Sequence, residues 1–422
     1  MSPTELAPAF FLACVVILLA CRLAGWLLRG LGQPPVVGEM VAGVVLGPSL
    51  LGWLAPDVMR VVFPEELRPV LYVAGQIGLV VFMFQSGYEF RLDRVRRVAR
   101  PAAVVSAAGV LLPLLFGAAL TWMAAGSVEV FPADVPLPVS ALFVGVTLAI
   151  TAFPMLARII TERGLAGTRF GALSLACGAL DDAVAWVLLA GVLSIAAGSG
   201  GPFVLAIGGT ALFVLALAGV LRASARIQAL VRRLAPEHLL LAVVAVLFLA
   251  AWYTDVIGLY AVFGAFSLGV VLPKSPAVDA AVHALKPVSA LFLPLFFTYS
   301  GLNTNLALLV EPGLLLFAVA AVAVAIAGKL GACWAAARAV GEPGPVAIRV
   351  GALMNARGLM QLIAVNVGLA AGIVTPALFS VLVVIALVTT IMASPLLILF
   401  DRWPRTRLPE PADELAAGSA RS

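Results

Sequence analysis

The chain has 422 residues, of which 63% are hydrophobic and only 11% charged, with a mean hydropathy of +1.13. No soluble globular protein of this length carries that composition, so a polytopic membrane protein is expected. The formal net charge of +5 and a pI near 9.3 call for no nucleic acid, because the basic residues cluster in short loops beside apolar runs.

Cutting the chain wherever polar, Pro/Gly or Arg-rich residues interrupt apolar runs of about 20 residues predicts thirteen membrane spans. They lie at 6–28, 36–54, 69–87, 101–125, 139–158, 170–197, 203–221, 239–254, 258–273, 287–302, 313–338, 346–370 and 377–399. The first is too long for a cleavable signal peptide, follows Glu5 rather than a basic run, and lacks a small-residue cleavage site, so a retained helix is expected. Cys14, Cys21, Cys177 and Cys333 all lie in apolar runs, where packing is favoured over disulfides or a metal site. One set of loops holds Arg29, Arg91 to Arg100, Arg158 to Arg169, Arg222 to Arg233, Lys274, Lys286, Arg338 and Arg349; the opposite set holds Arg60 and Arg68. The positive-inside rule then sets the N-terminus outside and 401–422 inside as a short cytoplasmic tail. The Arg91 to Arg100 run reads as an orientation signal beside anionic membrane lipid rather than as a phosphate site.

The groups able to do chemistry follow in chain order. In the fifth span, Pro154 comes after Thr147 and Thr151 at membrane depth. Proline removes a backbone hydrogen bond there, and Thr151 can re-satisfy or expose the freed groups. The sixth span carries Asp181 and Asp182 near its middle. A membrane-buried carboxylate costs roughly 2.5 to 3.5 kcal/mol on insertion scales, so two in succession point to an ion or proton site. Neighbours on a helix differ by about 100° in direction, so the two acids should have different jobs. Lys329, central in the eleventh span, is as costly alone and is economically paired with an aspartate.

In the twelfth span, Asn355-Ala356-Arg357-Gly358 sets a cation and a helix-weakening glycine inside an apolar run. Breaks in the fifth and twelfth spans would run in opposite directions, as in an inverted repeat matching spans one to six with eight to thirteen. Arg357, with Asn355 beside it, is expected to offset the negative ends of helices at their crossing, with Asp182 facing that crossing. Glu39 stands between a gating and an interfacial role, Arg22 should snorkel, and Glu89, Asp255, His238 and His283 read as boundary or loop groups.

The stretches Thr151 to Leu165 and Gly171 to Ala190 resemble the monovalent cation:proton antiporter superfamily. They look most like the branch of bacterial potassium-efflux antiporters and plant and fungal cation/proton exchangers. Gly38 to Pro48, Leu79 to Glu89, Leu293 to Phe297 with Ser300 to Leu302, and Asn355 to Leu359 support the likeness, which runs to about residue 400.

The resemblance implies an all-α fold of about thirteen transmembrane helices with two broken, crossing helices. A dimerisation domain and a mobile core would interleave within 1–400. It also implies a homodimer in the bacterial inner membrane that exchanges Na+ or K+ for protons, without a cofactor and without enzymatic chemistry. By the same likeness Asp182 is the cation and proton ligand, Asp181 pairs with Lys329, and Thr151 belongs to the site. The chain departs from the plant and fungal pattern at Asp181, where Asn is usual, and at Gln361, where an acid is common. Electrogenic exchange is therefore expected, and potassium selectivity does not follow. An exporter or symporter of an organic ion on the same fold is the alternative. An intramembrane aspartyl protease would need its two acids on facing helices, and a channel a pore filter; neither pattern is present in the sequence.

Overall fold

The computed structural model describes residues 3–90, 98–165, 167–196, 198 and 201–400. Residues 91–97 of the predicted Arg91 to Arg100 run and the predicted tail 401–422 lie outside the described residues.

The first half comprises α1 (Pro3–Arg29), α2 (Pro35–Leu46), α3 (Leu51–Leu54), α4 (Pro56–Val62), α5 (Arg68–Glu89), α6 (Ala99–Ala124), α7 (Leu137–Ala149), α8 (Phe153–Glu162) and α9 (Arg169–Ala196). The second comprises α10 (Gly201–Arg222), α11 (Ser224–Val231), α12 (Pro236–Val256), α13 (Ala261–Val271), α14 (Pro276–Ala284), α15 (Lys286–Leu302), α16 (Pro312–Ile326), a π turn (Ala327–Gly331), α17 (Ala332–Ala339), α18 (Gly344–Met354), α19 (Leu359–Ala370) and α20 (Pro376–Phe400). Helices are the outcome that apolar runs in lipid require, since each backbone N–H and C=O must find its partner within the segment. Prolines 35, 56, 236, 276 and 312 open helices, at a position whose N–H would have no intrahelical acceptor.

Each predicted span falls on a helical stretch. Among the described residues ten helices are long and apolar enough to cross a membrane, or eleven if α10 and α11, bent by 64°, count as one span. The other two predicted spans fall on shorter apolar helices, α7 and α13. Span five is short because it breaks after Ala149 and resumes at Phe153. Span nine is short because Gly258 (φ 84) and Tyr260 (φ 65) hold a non-helical entry.

Two groups of helices emerge from the packing. One joins α1, α2, α5, α12, α13 and α15; the other joins α6, α7, α9 and α16 to α20, with α10 touching α9 and α13. In the first group α2 crosses α15 at Gly43 and Gly301, where a Cβ on Gly301 would overlap the Gly43 carbonyl. Close backbone approach of this kind is how helices gain packing in lipid, where no hydrophobic force draws them together. In the second group the α18–α19 segment is 94% buried, well above the other candidate spans. Its break at Asn355 to Gly358 therefore lies in the molecular interior, where freed backbone can be matched by protein rather than lipid.

Candidate functional site

The two broken helices cross through their backbones: the Ala152 N–H, in the first break, donates to the Ala356 carbonyl, in the second, at 3.1 Å. Each break exposes a helix C-terminus whose last carbonyls lack intrahelical donors. At the end of α7, Ala149 accepts from Lys329 Nζ at 2.6 Å and Leu148 from Arg357 Nη2 at 2.8 Å. Arg357 Nη2 also reaches the Ala325 carbonyl near the end of α16 at 2.8 Å. At the end of α18, the Met354 carbonyl accepts from Thr151 Oγ1 at 3.1 Å. Two buried cations and a hydroxyl thus meet the negative ends of the half-helices.

Asp181 is held on three sides. Its Oδ1 accepts from Ser106 Oγ at 2.5 Å, and its Oδ2 from Lys329 Nζ at 2.6 Å; Thr151 Oγ1 is 2.9 Å from Oδ2, its single proton shared between Asp181 and the Met354 carbonyl. Both members of the Asp181–Lys329 ion pair have side chains that are 0% exposed. Lys329 gives its third proton to the Gly109 carbonyl at 2.8 Å, so all three donors of the ammonium are used. The lysine sits within the π turn, the helical irregularity that most often marks a functional position.

Asp182 faces elsewhere, as a rotation of about 100° per residue requires. It is 4% exposed, and neither carboxylate oxygen has a hydrogen-bond partner among the described residues. The Phe153 amide at the start of α8 approaches it, short of good hydrogen-bond geometry. Asp182 borders a cavity of about 280 Å³ together with Met83 and Phe90 from α5 and its end, Trp186 from α9, and Phe266 and Ser267 from α13. Phe153 packs against Phe90 and Phe266, each with centroids 5.2 Å apart, so the first turn of α8 touches residues that wall the cavity.

Of the residues singled out in the sequence, Asp181, Thr151, Lys329 and Arg357 come together around the crossing. Asn355 lies in the second break, fully buried, with neither atom of its amide bonded. Glu89 ends α5, His238 lies in the first turn of α12 and His283 in α14. Sequence reasoning did not find Ser106 or the π turn. Ser106, a lone serine in the apolar stretch from Ala102 to Leu120, was a visible signal; the π turn has none in the residue pattern.

A family model described as sodium/hydrogen exchanger, transmembrane, matches residues 15–399. The chain is 36% identical over 393 residues to a Na(+)/H(+) antiporter of Synechocystis sp., covering 91% of this chain and 95% of that protein. It is 34% identical over 410 residues to a cation/H(+) antiporter of Arabidopsis thaliana, covering 93% of this chain and 49% of the plant protein. In three dimensions it is similar to a sodium proton antiporter from Methanocaldococcus jannaschii, with a TM-score of 0.66 and 16% identity over 94% of this chain and 100% of that one. That last likeness concerns the fold.

Proposed function

Since the chain belongs to the sodium/hydrogen exchanger family of cation/proton antiporters, we propose that it exchanges Na+ or K+ for protons with Asp182 as the shared ligand. The observation that carries this reading is the contrast between adjacent acids. Asp181 is occupied by Ser106, Thr151 and Lys329, whereas both oxygens of Asp182 are unpaired and the residue borders a cavity. A buried carboxylate whose oxygens no well-placed protein donor satisfies is stabilised either by taking a proton or by binding a cation. Competition between the two for one carboxylate couples the opposed fluxes without a separate relay.

The surrounding groups have supporting work. Lys329 and Arg357 neutralise the ends of α7 and α16, which would otherwise present further negative potential to the cation. The Asp181–Lys329 pair holds α9 against the π turn and could exchange its own proton during the cycle. The cavity is walled by Met83, Leu217 and Val271, which sit toward the ends of α5, α10 and α13 that lead into the Arg- and Lys-bearing loops. By the positive-inside rule that side is cytoplasmic, so the site faces the cytoplasm. Movement of the group containing α6, α7, α9 and α16 to α20 against a dimeric first group would carry Asp182 to the other side of a bacterial inner membrane.

The apolar wall of Met83, Phe90, Phe263 and Phe266 and the volume of about 280 Å³ also suit an organic cation, which is the second reading. One experiment separates them: purified protein in liposomes, a pH gradient reported by an internal dye, and pulses of Na+, K+ or tetraalkylammonium. Dequenching by Na+ or K+, abolished in Asp182→Asn protein that is still inserted and folded, is expected. Substantial residual exchange in Asp182→Asn at saturating cation would remove Asp182 from this role.

A further inference from the structure

A second cavity, of about 150 Å³, lies on the face turned away from the Arg-rich loops. Tyr72 near the start of α5, Asp255 at the end of α12, Tyr260 at the entry to α13 and Asn366 in α19 border it. An aromatic contact lies between the two cavities: Trp186 borders the Asp182 cavity, Tyr260 borders this one, and their ring centroids are 5.5 Å apart.

Oxygen donors meet here from separate helix groups. The Asp255 carboxylate is exposed, and its Oδ1 accepts only a long bond, 3.3 Å, from the Ala261 amide. Asn366 is 7% exposed, and its Nδ2 donates to Ser300 Oγ at 2.7 Å and to the Leu362 carbonyl at 2.8 Å. A backbone carbonyl can only accept, so the nitrogen must face Leu362 and the orientation of the amide is determined. Among the described residues, the Asn366 Oδ1 is thereby left as a buried acceptor without a donor. Buried acceptors are matched in the great majority of cases, and an unmatched one beside a carboxylate-bearing cavity asks for a cation. The volume exceeds several-fold what a single water needs, room for an alkali-metal ion that keeps part of its hydration shell.

We infer that this cavity is a second cation site, distinct from Asp182, which takes a partly hydrated alkali-metal ion between the Asp255 carboxylate and Asn366 Oδ1. The inference rests on the reading of the protein as a cation transporter, and it adds a staging position on the far side of the Trp186–Tyr260 contact. Ser300 lies on α15 and Asn366 on α19, so an ion there also binds at the joint between the two helix groups.

Melting of the purified protein tests this, in NaCl, KCl or N-methyl-D-glucamine chloride at one ionic strength so that general screening is equal. Asp182→Asn, which removes the transport ligand, is expected to keep an upward shift of Tm in Na+ or K+ relative to N-methyl-D-glucamine. Asp182→Asn/Asp255→Asn should lose that shift, while Asp182→Asn/Asp255→Glu, which keeps the charge, should retain it. Asp255 is exposed, so its replacement does not threaten the fold; Asn366→Leu in the Asp182→Asn background is a second removal with the same expected loss. Cation-independent melting of Asp182→Asn, or an undiminished shift in the Asp182→Asn/Asp255→Asn protein, would overturn the second site. Exchange by wild-type liposomes is scored separately. Its absence would remove the transport reading, whereas a cation shift that depends on Asp255 would still establish binding at this cavity.

Discussion

Asp181 and Lys329 illustrate how a costly pair of charges becomes tolerable at the centre of a membrane protein. Each is fully buried, and each has its polar atoms matched, the lysine by two carbonyls and the aspartate by the Ser106 hydroxyl and the shared proton of Thr151 in addition to the ion pair. Removing one partner leaves the other uncompensated, at a cost of about 3 to 5 kcal/mol, whereas removing both costs less than the sum. Thermal melts of Asp181→Asn, Lys329→Gln and the double variant should therefore be strongly non-additive; additive shifts would mean that the two charges do not stabilise each other. Ser106→Ala removes one donor to the carboxylate and should cost roughly 1.5 to 3 kcal/mol, measured in the same melts. Residue types alone left either aspartate able to meet the lysine, and the likeness to antiporters named Asp181; the helix rotation that turns Asp181 toward α6 and Asp182 toward the cavity gives the physical reason.

At the scale of elements, the two breaks were legible because each carries a local chemical cause. Pro154 stands at the second position of α8, where a missing N–H is harmless. Gly358 holds φ 52 and ψ −124 immediately before α19, a region that side chains avoid, and a Cβ there would lie 3.3 Å from Thr390 Oγ1. Gly358→Ala should then destabilise the protein by about 1 to 3 kcal/mol and slow exchange, read as a lower Tm and a reduced initial rate. The π turn at Ala327–Gly331 was not legible, since no residue pattern separates it from an ordinary turn of helix. Its role is registration. Deleting Gly331 would restore ordinary helical winding, rotate Lys329 by about 100° relative to α17 and detach it from Asp181. Loss of exchange with every charged residue still present is the expected result; normal exchange would show that the turn is incidental.

For the whole molecule, the relation between the two acids bears on net charge movement. If Asp181 and Asp182 both change protonation in the cycle, two protons cross for each monovalent cation and transport is electrogenic. A potential imposed with valinomycin should drive Na+ flux at zero pH gradient, and Asp181→Asn should weaken that response. Flux indifferent to voltage would leave a one-for-one exchange at Asp182. The orientation of the cavity has its own readout. In a background with all four native cysteines replaced, Ser267→Cys should react with an impermeant maleimide from the side of the Arg-rich loops, and labelling from the opposite side alone would reverse the orientation proposed here.

What the sequence determined by itself was whatever depends on local period and transfer energy. Apolar runs separated by basic loops define helices in lipid, and a proline or a glycine beside a polar residue within such a run marks where a helix is interrupted. The likeness to cation/proton antiporters rests on contiguous stretches of the same kind. Beyond the Asp181–Lys329 pair that the likeness implied, tertiary structure decided the partners and their distances. Ser106 reaches Asp181 across 75 residues and Lys329 reaches it across 148, and the unpaired state of Asp182 depends on side chains from α5, α10 and α13 that form the cavity wall. No local rule contains those distances, because the free energy of a buried charge is set by which groups surround it in space rather than by its neighbours along the chain.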